Sequence, residues 1–322
     1  MGTFVDHLES EGLSKASIGL YGRYLGEFML FMDQEGTDVD EATGKDVAAY
    51  LGRLQRRELT GSTRRIHLLV IKKFFAWRVS VGARENNPAE HLKMRGGQRQ
   101  KLHTILSVQE LEALHANYPI EMEHEAASRS TAGGKGIQTR EKMTAITKLV
   151  RERNKVMIGL LVHQGLTTTE IGSLQVQDLR LREGLIEVQE GRHSRQRTLE
   201  LKNTQIMEMA EYVMRIRAEL LKFHREGEQA LFLSAPSAGK EKANGGSLQV
   251  WKRISEELRK QNSRFQDVQQ VRASVITHWL GKHDLRRVQY MAGHRFISST
   301  ERYQVGQIAD LQSDIDRFHP AG

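Results

Sequence analysis

The stretch "MAGHRFISSTERYQV" (residues 291–305) sets a histidine after a glycine and a tyrosine nine residues further on. Together with Arg272 upstream, His294 and Tyr303 have the side chains to attack a phosphodiester without a metal. A phenol oxygen is an in-line nucleophile whose aryl ester stores the bond energy for religation. A guanidinium clamps non-bridging oxygens bidentately. An imidazole donates a hydrogen bond or moves a proton. Three further arginines, Arg192, Arg195 and Arg197, fall in and beside a predicted hairpin turn and add positive charge. A lone tyrosine in a helix is usually a packing residue, so the spacing by itself leaves its role open.

Other chemistries lack their anchors. The chain has no cysteine, which removes disulfides, thiolate nucleophiles and Cys-ligated zinc. His278 with His283, or His124 among Glu121, Glu123 and Glu125, offers no helical H-E-x-x-H spacing, so no metal site is expected. "GGKG" (133–136) lacks the rest of a phosphate-loop pattern and no strand leads into it. There is no G-x-S-x-G elbow and no dinucleotide-binding glycine motif after a strand. No cofactor is implied. With no apolar run near the ~18 residues of a membrane span, an acidic start and no cysteine, a cytoplasmic location is expected.

Helices must position these groups. Capping and 3.6-residue periodicity predict helices over "LSKASIGLYGRYLGEFMLFM", starting at Ser14 or Ser17, over "TGKDVAAYLGRL", and over "TGSTRRIHLLVIKKFFAWRV", capped by Ser62. In the third, Ile66, Val70, Phe74 and Trp77 share one side, with Arg65 and Lys72 roughly opposite. Such a helix packs into a bundle while presenting cations to phosphate. A helix capped by Ser107 opens a second domain, and the Ser/Thr/Gly/Lys-rich stretch 121–148 reads as a mobile insertion. "GLIEVQE" and "RQRTLEL" read as a hairpin, "LFLS" as a short strand, and the remainder as helices ending in an amphipathic tail over 307–322. The fold class expected is mainly α with a small β-sheet. The domains expected are a helical one over 1–92, a linker over 93–103 and a mixed α/β one over 104–322.

Charge is uneven along these elements. The net charge is +8, yet Leu51 to Lys101 alone holds 13 Lys and Arg against 3 Glu, a balance of +10. A polyanion is the natural partner of that segment, and nucleic acid ranks ahead of a membrane surface. Arg64, Arg65, Lys72 and Lys73 on the third helix, and Arg195 and Arg197 on the hairpin, are the candidate DNA contacts. An RNA-binding sheet would need stacking aromatics, and aromatic residues make up only 6%.

"MAGHRFISSTERYQV" resembles the C-terminal box of the tyrosine recombinase (phage integrase) family, L-G-H-x-x-[IV]-x-x-T-x-x-Y. Other segments follow in order. "GLSKASIGLYGRYLGEFMLFM", "LTGSTRRIHLLVIKKFFAW" and "ENNPAEHLK" resemble the family's core-binding domain. "LLVHQGLTTTEIGSLQVQDL" resembles its first catalytic box, "IEVQEGRHSRQRTLEL" its hairpin and "VQQVRASVITHWL" its second box. The resemblance implies a two-domain clamp on double-stranded DNA. It also implies cleavage through a 3′-phosphotyrosyl intermediate and a synaptic tetramer of self with tail exchange over 307–322, needing no metal and no cofactor. Whether a second recombinase takes part stays open.

This chain departs from the family pattern at three places. The first box reads Gly165-Leu166-Thr167 where the family has an arginine that clamps the scissile phosphate. The hairpin lysine, a general acid in the family, is Arg192, and the second-box histidine is Gln269. Arg272, His294 and Tyr303 match. Thr167-x-x-Glu170 is also a capping box, which predicts a helix start there. Losing a transition-state clamp costs about 2.7–4 kcal/mol unless another group replaces it, and Arg192, Arg195 or Arg197 are the available replacements. The resemblance therefore implies either a recombinase or a catalytically impaired DNA-binding relative at recombination sites.

Overall fold

A computed structural model describes residues 3–94, 104–120, 134–192, 194–234 and 247–304. The chain divides into two compact units, Met1–Lys101 and Leu102–Gly322.

The first unit contains α1 (Phe4–Ser10), α2 (Lys15–Gln34), α3 (Gly44–Arg56) and α4 (Gly61–Ser80). Each start is fixed locally. Ser14 accepts from the Ser17 backbone amide, and Thr43 pairs with Asp46 in a capping box. Thr60, two residues before the expected Ser62, caps α4 by accepting from the Thr63 amide. These bonds satisfy amides that the first turn leaves without partners. Phe28, Phe31, Tyr50, Val70, Ile71, Phe74 and Phe75 form the core, with Phe28 set edge-on to both Tyr50 and Phe75. The apolar seam predicted for α4 is present, since Val70 and Phe74 are buried and Ile66 and Trp77 pack against the cluster.

The second unit runs through α5 (Val108–Ala116), α6 (Gly134–Gln164), α7 (Thr168–Ser173), β1 (Leu179–Arg180), β2 (Leu185–Val188), β3 (Arg197–Glu200), α8 (Asn203–Glu211), a π-turn over Tyr212–Ile216, α9 (Arg217–Leu221), α10 (Ser247–Gln261), α11 (Val268–Leu280), α12 (Leu285–Ala292) and a last helix, α13, over 298–304. The strands form one antiparallel sheet in the order β1-β2-β3, with Val188 opposite Arg197. Ile186, Val188 and Leu199 pack from it against buried Ile158, Leu160 and Leu161 of α6 and Ile171 of α7.

Two expectations need correction. Residues 134–148, read as part of a mobile insertion, are helical, because α6 extends back from its buried C-terminal half. Propagating a helix adds one hydrogen bond per residue and needs no new nucleus. Residues 121–133 lie outside the described residues. "LFLS" (231–234) is no strand. Side chains take its carbonyls: Tyr212 Oη donates to Leu231 O at 2.9 Å, and Arg153 donates to Leu233 O. The predicted tail also lies outside the described residues.

Candidate active site

Two elements of the second unit meet around one guanidinium. Asp267 caps α11, whose first turns carry Gln269 and Arg272. α12, capped by Asp284, ends at Gly293 with φ +70°, and this left-handed turn sends the chain back toward β3. Arg272 donates to the carbonyl oxygens of Gly165 and Ala292, the latter at 2.6 Å. Its Nη2 also lies 3.4 Å from His294 Nε2. Ser194 and His294 form a β-bridge, and the Arg195 amide donates to Gly293 O at 3.0 Å. The hairpin is thereby joined to the glycine-histidine turn.

His294 has one tautomer consistent with these contacts. Arginine only donates, so Nε2 accepts, and Nδ1 carries the proton and donates to Thr300 Oγ1 at 2.9 Å. Burial pushes the imidazole down to about 4, and the nearby charges of Arg272 and Arg197 push the same way. It is neutral at physiological pH. We expect His294 to titrate in the free protein near pH 4 rather than near 6.5, measured by its imidazole resonances in NMR. Titration near 6.5 would mean that the ring is not enclosed as described.

Tyr303, on α13, stacks on that ring with centroids 5.9 Å apart and planes 5° from parallel. Thr300, one turn earlier, is fully buried. Arg272, His294, Tyr303, Gln269, Arg192, Thr167 and Glu170 all line one cavity of about 750 Å³.

Buried charge lies behind this cavity. Glu170 accepts from the Thr167 amide at 2.8 Å and the Thr167 hydroxyl at 3.0 Å, closing the predicted capping box. Its other oxygen accepts from Arg197 Nη1 at 2.7 Å, and Arg272 Nη1 is 3.8 Å from the oxygen that Thr167 caps. Burial opposes its ionisation, but the bond from Arg197, the Thr167 amide and both guanidinium charges hold it down at about 2. Burial pushes Arg272 down, and Glu170 offsets this.

Residues 138–307, just over half the chain, match the model of the phage integrase family. The chain belongs to the phage integrase family. Residues 2–82 match that family's N-terminal SAM-like domain. The tyrosine recombinase XerD of Oceanobacillus iheyensis is 28% identical over 312 residues, covering 96% of this chain and 94% of the relative. A XerD of Staphylococcus epidermidis is 33% identical over 177 residues, 54% of this chain and 57% of that one. Among solved structures, a XerH site-specific recombinase bound to palindromic difH substrate in a post-cleavage complex aligns with TM-score 0.65 and 18% identity. That alignment covers 97% of this chain and 84% of the other. A lambda integrase dimer bound to a COC′ core site aligns with TM-score 0.59 and 12% identity over 93% and 75%. At such identities the structures speak to the fold.

Against this family frame, the sequence-predicted residues divide. Arg272, His294, Tyr303, Arg192 and Gln269 come together on the cavity. Arg192 and Arg195 are exposed. Arg197 is a correction: expected as a surface DNA contact, it has a side chain with 0% exposure, held by Glu170 and by Met291 O at 2.8 Å. On β3 it shares the inward face with Leu199 because side chains alternate along a strand. On α4, Arg65 is exposed and Lys72 and Lys73 are half-buried. Lys72 donates to Glu90 O at 2.8 Å, Lys73 pairs with Glu11 at 2.6 Å, and Arg64 donates to Gln55 at 2.7 Å. Sequence reasoning missed Glu170 as a counter-charge and Thr300 as the partner of His294. The capping box pointed to Glu170 only as a helix start, and the threonine of the C-terminal box falls on Thr300 without naming its partner.

Proposed function

We propose that this chain is a site-specific DNA recombinase that cleaves and rejoins DNA through Tyr303. The observation that carries the reading is the stack of Tyr303 on a neutral His294 whose Nε2 faces Arg272, all on one cavity. Tyr303 Oη attacks the scissile phosphorus, a bond forms between them and the bond to the 5′-oxygen breaks. The phenol proton passes to His294 Nε2 and from there to the leaving 5′-oxygen, so the protons balance. Arg272 leaves the backbone carbonyls it now caps and stabilises the non-bridging oxygens. Arg192 binds phosphate but holds its protons too tightly to act as an acid. Gln269 donates a hydrogen bond.

Arg64, Arg65, Lys72, Lys73 and Arg195 contact the DNA backbone, with Arg64, Lys72 and Lys73 exchanging the protein partners described above for phosphate. A synaptic tetramer would exchange the tail over 307–322, with action at the nucleoid in the cytoplasm. Among the described residues no helix is long and apolar enough to cross a membrane.

The test is a nicked suicide duplex carrying a site selected from a random pool by binding. Wild type should give a covalent adduct on a denaturing gel. Arg272→Ala should slow its formation by about 10²-fold or more, the range seen on removing other transition-state donors. Thr167 favours a second reading, a DNA-binding relative without cleavage. Absence of any adduct on a duplex that wild type demonstrably binds would select it.

A further inference from the structure

Thr167 stands where the family has a phosphate-clamping arginine, and the site described above carries a second guanidinium nevertheless. Arg197 approaches the same carboxylate that Thr167 caps. The Thr167 hydroxyl is 3.0 Å from Glu170 Oε2 and Arg197 Nη1 is 2.7 Å from Oε1. The two side chains therefore reach opposite oxygens of one group, from chain positions thirty residues apart.

Arg197 also presses on the turn that carries His294. A Cβ built on Gly293 would collide with its guanidinium, and Gly293 lines the cavity. Arg197 Nε donates to Met291 O and Arg272 Nη2 to Ala292 O, so two guanidinium groups cap successive carbonyls at the end of α12.

Its charge exceeds what folding needs. Two guanidinium groups share one carboxylate, and the neutral His294 adds none, so the cluster keeps an excess positive charge. Arg197 Nη2 is buried with no hydrogen-bond partner among the described residues. A buried cation without full compensation destabilises a fold, which argues for a purpose served when an anion arrives. One phosphate in the cavity neutralises the excess. With Thr167 in the first box and Arg197 removed, Arg272 and Glu170 would cancel and leave no excess buried charge for it, only the exposed Arg192.

We infer that Arg197 supplies, from behind Gly293, the positive charge that the first-box position lacks. It is a positioning residue that acts on the scissile phosphate through Glu170, Arg272 and the Gly293–His294 turn. This rests on reading the cavity as a phosphate site. It selects Arg197 over Arg192 and Arg195, which are exposed and make no contact with Glu170 among the described residues.

The test does not require cleavage. Full-length protein is titrated with duplexes that each replace one phosphate of the bound site by a neutral methylphosphonate. The informative step is the one whose binding penalty, expected at about tenfold for a charge-assisted hydrogen bond, disappears in Arg272→Ala. Arg197→Gln should lose the penalty at that same step, and Thr167→Arg/Arg197→Gln should regain it. Adduct formation, where wild type shows it, should fall and recover in parallel.

A purely structural role predicts that Arg197→Gln lowers stability but keeps the penalty, and that Thr167→Arg rescues nothing. Either result overturns the inference, even if wild type cleaves. Absence of any step sensitive to Arg272 overturns both the inference and the phosphate site. Absence of adduct with the penalty pattern intact overturns only the cleavage reading. Should Arg197→Gln fail to fold, Thr167→Arg alone carries the test. With the charge already present it should leave penalty and adduct rate unchanged, and a gain of about 10²-fold, the worth of a missing donor, overturns the inference.

Discussion

Tyr303→Phe is expected to form no covalent adduct on a nicked duplex that wild type converts, while binding that duplex within a few-fold of wild-type affinity. The substitution removes one oxygen and keeps the ring. That ring packs against the cluster of Ile276, Val288 and Ala292 and stacks on His294, so both contacts survive. A loss of adduct therefore reports chemistry and not misfolding. Thermal unfolding of the two proteins should coincide closely, because a half-buried hydroxyl with no hydrogen bond to it among the described residues adds little. An adduct that persists in Tyr303→Phe would transfer the nucleophile elsewhere, with Ser298 and Ser299 on the same helix as the first positions to examine. Loss of binding together with the adduct would assign Tyr303 to DNA recognition instead.

The parts of this site that were legible in the sequence are those set by short-range rules. Ser107 and Thr167 cap helices where expected, and Ser14 does so of the two candidates Ser14 and Ser17, because the bond that starts a helix joins near neighbours. The glycine before His294 and the nine-residue step to Tyr303 have the same character, since one left-handed turn and one short helix bring the rings together.

The charge balance was not legible in that way. Glu170 and Arg197 are 27 residues apart and meet only because β3 pairs with β2 beside α7. A signal was present in Arg197, Leu199 and Leu201, which alternate with more polar positions and turn one arginine inward. Three arginines near one turn suggest three equivalent surface cations until that alternation is applied. Similarly, "LFLS" has the composition of a strand, but its carbonyls are taken by side chains from the π-turn and from α6, a competition that no local window contains.

Glu170→Gln should show how strongly that buried charge is constrained. The amide nearly preserves the shape, so the cavity-facing surface changes little, but both guanidinium groups lose their shared counter-charge. Removing one partner of a buried ion pair typically costs about 3–5 kcal/mol, since it leaves uncompensated charge out of water. We expect a loss of that size at pH 7, measured by urea denaturation with unchanged slope. The pH dependence follows from Glu170 being held at about 2 in the fold against 4.5 unfolded. A lowered acid contributes stability that is complete above its unfolded value and is lost as pH falls toward the folded one. The gap between wild type and Glu170→Gln should therefore be constant above pH ~5 and narrow between about 4.5 and 2.

His294 acts in another window. Held at about 4 in the fold, it lowers the stability of both proteins as pH drops from 6.5 to 4, because the unfolded chain binds the proton first. This contribution is common to both and largely cancels in the difference. What remains is small and known in sign: Glu170 raises the His294 value, so removing it pushes the imidazole lower still and widens the gap slightly only at and below about pH 4, where wild-type His294 takes up its proton. A gap that closes already near pH 6 would instead mean that Glu170 is not held ionised by Arg197 and Arg272, and the excess positive charge behind the cavity would have no basis.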